Sequence, residues 1–190
     1  MAGHAGYGSG AMSTLHGWRN CPRCAAGLTY GNGHATCPSC GSTYYASAAP
    51  TASALILDGN GRLLLARRAH EPYRGMWDTV GGFLEESELP ETGLQREVAE
   101  ETGLRIEPGT YVGTYVDRYG DEDGAVTTLN LVFETTVAGG EPAPADDVAE
   151  LAWVRLDELP PVGEFAFHDV GRFVHEWAAG RRGESDRRLG

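Results

Sequence analysis

Three glutamates that share one face of a predicted helix constrain this chain more than any other feature. Residues 96–104 read REVAEETGL, and Glu97, Glu100 and Glu101 stand at spacings i, i+3 and i+4. On an α-helix their carboxylates lie within an arc of roughly 100°, where like charges destabilise the helix. The segment is therefore either a solvated acidic face or a helix whose charge is balanced by a bound cation.

All four cysteines fall in a short segment near the N-terminus. They form the pairs Cys21-x2-Cys24 and Cys37-x2-Cys40, with twelve residues between the pairs. Two thiolates two residues apart can bind one ion, and two such pairs complete a tetrahedral four-cysteine site. Two disulfides are the alternative, which a reducing cytoplasm disfavours. The spacing predicts a structural zinc ribbon over residues 19–46 whose folding depends on Zn²⁺.

The rest of the 190 residues is predicted to hold one compact domain. A leader rich in Gly, Ala and Ser has too few apolar groups to order itself over residues 1–18. The compact domain is predicted over residues 50–179, since 41% hydrophobic residues are enough for a core. A charged tail is predicted over residues 180–190.

The charge balance and hydropathy bear on partners and location. Fifteen basic residues against twenty-seven acidic ones give a net charge of -12, which disfavours duplex nucleic acid as a partner. No stretch approaches the ~18 uncharged apolar residues of a membrane span, and the N-terminus lacks the pattern of a secretion signal. We expect a cytoplasmic protein that acts on a small molecule, with a homodimer left open.

Periodicity predicts a mixed α/β (α+β) domain with helices on the faces of a sheet. A helix begins near Pro90, which suits a first turn, and ends near Thr102 before Gly103, a suitable C-terminal cap. The preceding loop, HEPYRGMWDTVGGFLEE, contains the glycine pair Gly81 and Gly82, which permits close backbone approach. The other predicted elements are a hairpin of residues 53–58 and 62–67, strands at 110–119, 125–138 and 151–156, and a final helix within 165–180.

The region around the acidic helix resembles the signature of the Nudix hydrolase family. The chain reads Gly82-x5-Glu88-x7-Arg96-Glu97-Val98-x-Glu100-Glu101-x-Gly103-Leu104, which matches the signature at each of its nine specified positions. The resemblance extends over roughly residues 50–178. With a zinc ribbon before it, the chain further resembles the subgroup of NADH pyrophosphatases and some ADP-ribose and FAD pyrophosphatases.

The resemblance implies a fold and a reaction. The fold is a mixed sheet sandwiched between helices, and the reaction is hydrolysis of a pyrophosphate bond with Mg²⁺ or Mn²⁺. Glu97, Glu100 and Glu101 would hold the metal from one helical face, because carboxylate oxygens suit these ions. The resemblance adds the carbonyl of Gly81 as a further ligand and Arg96 as the residue that holds Glu97 in place. Glu88 is interpreted as a structural partner of Arg96.

Candidates for the general base and for substrate binding remain open. The base is either Glu97 or an acid among Asp146, Asp147 and Glu150, for which a solvated acidic loop is the alternative. Three arginines flank the predicted phosphate site and are candidates to bind the substrate, although arginines at strand ends are commonly solvated. These are Arg67, Arg68 and Arg74.

The chain departs from the family pattern in two places, of which the first bears on the rate and the second on the choice of substrate. Val80 replaces the proline that usually precedes the glycine pair, and the residues after Leu104 lack the SQPWPFP-type motif of NADH pyrophosphatases. The predicted substrate is therefore a nucleoside diphosphate linked to another group, with ADP-ribose, FAD or NADH as candidates. One alternative is a nucleoside triphosphate pyrophosphohydrolase. The other is a non-catalytic ligand sensor, which has no need of three metal-binding glutamates.

Overall fold

The structure of the protein, a computed structural model, describes Leu15 and residues 17–107, 109–120 and 125–188, with side chains as far as Arg181. The leader predicted for residues 1–18 falls almost wholly outside these residues. In the described part of the chain, no helix combines the length and the apolar composition that crossing a membrane requires.

A small antiparallel sheet carries the cysteines. Its strands, in spatial order, are β1 (Thr29–Gly31), β2 (His34–Thr36) and β3 (Thr43–Tyr45). Gly33 in the turn between β1 and β2 has φ of 71°, a conformation that glycine adopts at no steric cost. Nine strand residues bury few apolar groups, so this unit depends on contacts among its cysteines.

The main sheet is mixed, as the sequence predicted. Its central pair is β4 (Ala49–Leu57) and β10 (Val126–Gly139), which run parallel, whereas the other strand pairs are antiparallel. The path is β11-β5-β4-β10-β8, with β6 on β5, β7 on β4 and β9 on β10. The remaining strands are β5 (Leu63–Arg68), β6 (Trp77–Asp78), β7 (Val80–Phe83), β8 (Arg105–Ile106), β9 (Thr110–Tyr119) and β11 (Val148–Val154).

Two helices cover the two faces of this sheet. Helix α1 (Pro90–Thr102) has Pro90 in its first turn and ends at Gly103, whose φ of 69° is left-handed and whose N–H donates to the carbonyl of Ala99. These are the predicted boundaries of the helix. Leu94 and Val98, one turn apart on α1, are buried against the sheet. Helix α2 (His168–Arg188) packs on the opposite face, after a short 3-10 turn at Val162–Glu164.

Alternate side chains of β4 belong to the two hydrophobic cores on opposite faces of the sheet. Ala54 and Ile56 point toward α1, whereas Leu55 and Leu57 point toward α2, because successive strand residues face opposite sides of a sheet. Both faces of β4 are therefore buried, and its run of apolar residues has no polar face. Replacing Leu94 by alanine would cost about 2–5 kcal/mol of stability.

Two segments differ from the sequence predictions. The predicted loop before α1 contains the short strands β6 and β7, because backbone pairing with β5 and β4 extends the sheet through a segment rich in glycine. Helix α2 continues to Arg188, so the charged tail predicted for residues 180–190 begins inside a helix. At its start, Arg181 forms an ion pair with Glu134 on β10.

Candidate active site

Two adjacent glycines on β7 bring the edge of the sheet against α1. Gly81 has φ of 140°, and a Cβ placed on it would lie 2.2 Å from the carbonyl oxygen of Ala52. A Cβ on Gly82 would lie 2.7 Å from the carboxyl carbon of Glu97. The backbone N–H of Gly81 donates to Oε2 of Glu101 at 2.9 Å. The glycine pair thus leaves room for one carboxylate and supplies a hydrogen bond to another.

Arg96 forms hydrogen bonds to the carboxylates of three glutamates. Its guanidinium donates to both carboxylate oxygens of Glu88 at 3.0 and 2.9 Å and, through Nη1, to Glu97 at 2.8 Å and Glu100 at 3.1 Å. A further donation reaches the carbonyl of Phe83. These hydrogen bonds, that to Glu88 above all, raise the pKa of Arg96 well above its ordinary range. One fixed cation therefore offsets part of the charge that the helix concentrates.

The three glutamates have different environments, although they share one helical face. The side chain of Glu97 is 16% exposed and that of Glu100 is 50% exposed. Burial, followed by the charges of Glu97 and nearby aspartates, raises the pKa of Glu101 to about 8. Burial also raises the pKa of Glu97. All three carboxylates line one cleft of about 330 Å³.

This donor set fits Mg²⁺ or Mn²⁺ by its chemistry. The carboxylates supply hard oxygen ligands, and burial makes the ionised forms of Glu97 and Glu101 unfavourable unless a cation compensates them. Glu97, Glu100 and Glu101 do not converge tightly, however. Among the described residues, only the four cysteines form a group whose ligand atoms all lie within 4.8 Å of one another. The three carboxylates would therefore have to come closer together to share one cation.

The loop before β11 brings further acids to the cleft. The N–H of Ala145 donates to the carbonyl of Glu101 at 3.0 Å, which fixes this loop on the end of α1. Asp146, at φ of 48°, and Asp147 line the cleft. Glu150 does not line it, because it lies within β11 and forms a 3.0 Å ion pair with Arg67.

The three predicted substrate arginines occupy different places. Arg67 and Arg68 line the cleft, and Arg74 does not. The guanidinium of Arg67 lies 3.9 Å from the ring centroid of Trp77 and donates to the carbonyl of Gly75. Arg68 approaches Asp78 at 3.6 Å, and burial raises the pKa of that aspartate to about 6. Arg68 is the less exposed of the two and stands deeper in the cleft.

A second pocket, which we call the aromatic pocket, adjoins the cleft. The two are separated by β7, which carries Gly81 and Gly82 and which we call the glycine strand. Its rim is shared with the cleft and includes Arg68, Asp78 and the two glycines. Its inner part lies on the α2 side of the sheet and is polar. The residues there are Thr51, Ser53, Tyr115, Asp117, Thr128 and Asn130. Three aromatic side chains complete its lining, namely Phe83, Tyr119 and Phe167.

The four cysteines converge as the spacing predicted. Sγ of Cys21 lies 3.7 Å from that of Cys40, and Sγ of Cys24 lies 3.5 Å from that of Cys37. All four are free thiols, so the disulfide alternative does not describe this structure. Four sulfurs at about 2.3 Å from one zinc ion would be about 3.8 Å apart in a regular tetrahedron, close to these distances. The cluster could therefore hold Zn²⁺.

Some residues of this region escaped the sequence analysis. Asp78, Asp117 and Tyr119 carry no local signature, because an isolated acid or tyrosine in a strand is usually solvated or packed. Their common location depends on the pairing of β9 with β10 and of β6 with β5. A weak signal was available for Asp78, since a charged residue stands between the apolar Trp77 and Val80.

Comparison with known proteins identifies relatives of this fold. The profile of the NUDIX domain matches residues 48–172. The chain is 36% identical over 105 residues to a MutT-like protein of Streptomyces ambofaciens, covering 55% of this chain and 62% of that protein. It is 34% identical over 105 residues to an ADP-ribose pyrophosphatase of Methanocaldococcus jannaschii, covering 55% and 61%.

Another relative matches more of the chain. The NAD-capped RNA hydrolase NudC of Stutzerimonas stutzeri is 29% identical over 147 residues, which cover 77% of this chain and 50% of that protein. The matches thus span about half to three-fifths of the length of these curated relatives. A NUDIX hydrolase structure from Nitrosomonas europaea superposes with a TM-score of 0.69 at 23% identity, covering 87% of this chain and 93% of that one, and it shares the fold.

Proposed function

This chain belongs to the NUDIX domain family, and from that membership we propose that it is a Mg²⁺-dependent hydrolase of nucleoside diphosphates linked to another group. ADP-ribose is the leading candidate, with FAD and NADH next. Relatives named as a pyrophosphatase and as a hydrolase support this reaction class. Water adds across the P–O–P bridge, so that one bridging bond breaks and two phosphate monoesters leave.

One observation carries the proposal: largely buried carboxylates line a cleft beside two glycines that leave its wall open. Glu101 and Glu97 have raised pKa values because they are buried, and a bound dication would relieve that cost. Mg²⁺ bound by these carboxylates, and by the carbonyl of Gly81, would screen the phosphate charge and activate the attacking water. A binding protein would gain nothing from keeping these costly acids.

The chain's own residues have distinct roles in this proposal. Arg96 positions Glu97 and Glu100 through its hydrogen bonds and neutralises part of their charge. Arg68 lies between the cleft and the aromatic pocket, where it can contact a phosphate oxygen. Asp147 is the preferred base from the loop, since it lines the cleft and Glu150 is engaged by Arg67. Glu97 is the alternative base.

The four-cysteine cluster has a structural role in this proposal. It would bind one Zn²⁺ through four thiolates, which leaves no position for water or substrate. The hydrolytic metal would instead be bound by oxygen ligands. Reduced thiols are maintained in the cytoplasm, where we place the protein.

A substrate panel tests the function. The purified full chain is assayed with ADP-ribose, FAD, NADH and the four nucleoside triphosphates, each with Mg²⁺, with Mn²⁺ and with a chelator. We expect AMP and ribose 5-phosphate from ADP-ribose, with no turnover in chelator. Pyrophosphate released from a triphosphate, at higher kcat/KM than any linked diphosphate, would assign the triphosphate activity instead. Binding without turnover of any compound would identify a sensor.

A further inference from the structure

The floor of the aromatic pocket holds one hydrogen-bond acceptor that the protein leaves unused. Among the described residues, two buried side-chain atoms lack a partner, Asp117 Oδ2 and Thr135 Oγ1, and Thr135 does not line this pocket. The other oxygen of Asp117, Oδ1, accepts the backbone N–H of Arg118 at 2.8 Å. An unpaired buried oxygen costs stability, so its retention indicates a donor supplied from outside the chain.

The neighbouring polar groups of the floor satisfy one another. Thr51 donates its hydroxyl to Oδ1 of Asn130 at 2.5 Å, and the amide nitrogen of Asn130 donates to the hydroxyl of Thr128 at 3.1 Å. The first of these hydrogen bonds joins β4 to β10 at the base of the pocket, and the second lies within β10. Among the described polar side chains of the floor, Oδ2 of Asp117 is therefore the buried atom that has no hydrogen-bond partner.

Aromatic rings border the same pocket. The ring of Tyr119 lies 5.4 Å from that of Phe83, edge to face, and 6.0 Å from that of Phe167, nearly parallel to it. Aromatic rings can stack on the flat face of any nucleobase, whichever base it is. Phe83 is 39% exposed, so its ring remains accessible.

The acids of the pocket favour hydrogen-bond donors, and its cation, Arg68, stands at the rim that the pocket shares with the cleft. Asp78 and Asp117 both line it, and the charge of Asp117 contributes to the raised pKa of Asp78. The pocket's 70 Å³ holds the edge of a ring or about five waters, so ribose and phosphates would occupy the larger cleft beyond Gly81 and Gly82. The nucleobase end of a linked nucleotide would thus face the carboxylates of the aromatic pocket, while its phosphates would lie beside the glutamates of the cleft.

We propose that the aromatic pocket binds the nucleobase of the substrate and that Asp117 selects a base with an exocyclic amino group, such as adenine. Oδ2 accepts one N–H of that group, while the aromatic rings contact the face of the base. A keto oxygen in place of the amino group would face Oδ2 of Asp117, and two acceptors in contact repel each other. This inference rests on the proposed function, since it assigns specificity to the same site.

A structural role of Asp117 is the competing explanation. The backbone N–H of Asp169, in the first turn of α2, lies near enough to lower the pKa of Asp117, although it does not form a hydrogen bond with Oδ2. Burial outweighs this effect, so that the pKa of Asp117 is raised. If Asp117 only supports α2, its loss should lower stability without altering the choice of base.

The test compares three substrates that differ at the 6-position of the purine ring, next to which the hypoxanthine compound also carries a ring N–H. ADP-ribose, its hypoxanthine counterpart and its unsubstituted purine counterpart are assayed with the full wild-type chain, Asp117→Asn and Asp157→Asn. Asp157 is exposed and pairs with Arg155, which makes its variant a matched control. We expect wild type and Asp157→Asn to favour adenine over both analogues by at least about tenfold in kcat/KM.

Asp117→Asn should weaken or abolish the preference for amino over keto bases. Its amide can donate to the keto oxygen, so the hypoxanthine-to-adenine ratio of kcat/KM should rise at least about tenfold. An unchanged ratio, with a lower melting temperature, would establish the supporting role and overturn the inference. A wild-type preference for hypoxanthine would show that a ring N–H is read instead, which also overturns it.

The wild-type measurement covers the case in which Asp117→Asn does not fold. The unsubstituted purine keeps the shape of adenine and lacks only the amino donor, so equal kcat/KM for the two would overturn the inference without any variant. Failure of the proposed function gives a different result, because wild type would then hydrolyse none of the three compounds.

Discussion

Replacing Gly82 by alanine should impair metal binding and turnover while leaving the fold intact. The added Cβ would lie 2.7 Å from the carboxyl carbon of Glu97 and 2.8 Å from both of its oxygens. An ordinary contact begins near 3.4 Å, so the carboxylate must retreat by about 0.7 Å. Gly82 does not have a positive φ, and alanine therefore adds no backbone strain.

Moving the Glu97 carboxylate should affect both the stability of the protein and its rate of turnover. Glu97 is held by Arg96 at 2.8 Å, so a shift of its carboxylate breaks or stretches this hydrogen bond. Overpacking of this kind costs about 1–3 kcal/mol, and we expect the lower end because the carboxylate terminates a flexible side chain. Misplacing a catalytic group by about 1 Å can cost 10²-fold in rate, so kcat should fall by tens to about a hundredfold.

The assay pairs activity with a readout that does not need turnover. Mn²⁺ affinity, measured by electron paramagnetic resonance, should weaken about tenfold or more, and kcat should fall with saturating Mg²⁺. Gly163→Ala is the control, because a Cβ there has no neighbour within 4 Å. A Gly82→Ala protein with both Mn²⁺ affinity and kcat within about twofold of wild type would refute the placement of Glu97 at the metal.

Further predictions concern the acidic helix and the four-cysteine cluster. Glu100→Gln and Glu101→Gln should each keep the fold and lower kcat at least about a hundredfold, because the lost charge acts on the transition state; near-wild-type turnover in both would remove these residues from the metal site. The pKa of Glu101 is raised from 4.5 to about 8, so its protonated form stabilises the folded chain in the absence of metal. This contribution to the free energy of unfolding, of order a few kcal/mol, is fully present below pH ~4.5 and is lost as the pH rises through about 8. Urea titrations without metal should show that loss, and it should be smaller in Glu101→Gln, where only the other buried acids with raised pKa values still contribute; a loss of equal size in the variant would contradict its assignment to Glu101. Cys21→Ser or Cys37→Ser should abolish binding of about one zinc per chain, as measured by elemental analysis, and unfold the ribbon locally. A protein that begins near Ala49 should retain Mg²⁺-dependent turnover; if it folds and saturates yet turns over more than about a hundredfold slower, the ribbon contributes to the active site.

The sequence predicted the elements whose signals are local. Pro90 and Gly103 act within one turn of the chain, so the bounds of α1 could be read directly. The two CxxC pairs specified their own cluster, because cysteines separated by two residues at a tight turn already point their thiols together. The mixed sheet and the NUDIX family were also predicted, since strand and helix periods and a nine-position signature survive without tertiary information.

The tertiary structure decided which of the predicted residues meet. Asp147 and Glu150 are three residues apart in sequence, yet only Asp147 lines the cleft, because β11 pairs Glu150 with Arg67. Arg74 was grouped with Arg67 and Arg68, and only the latter two line the cleft. The three glutamates share a helical face, but Arg96 and the glycine strand give them unequal burial.

Local sequence thus determined that this chain would form an acidic helix, a glycine pair before it and a four-cysteine cluster, because each is specified by residues close together in the chain. Only the tertiary structure placed Asp117 of β9 in the same pocket as Asp78 of β6 and Phe167 before α2. That pocket is assembled by strand pairings between residues far apart in sequence, and its unpaired oxygen exists only once burial has removed water from the carboxylate.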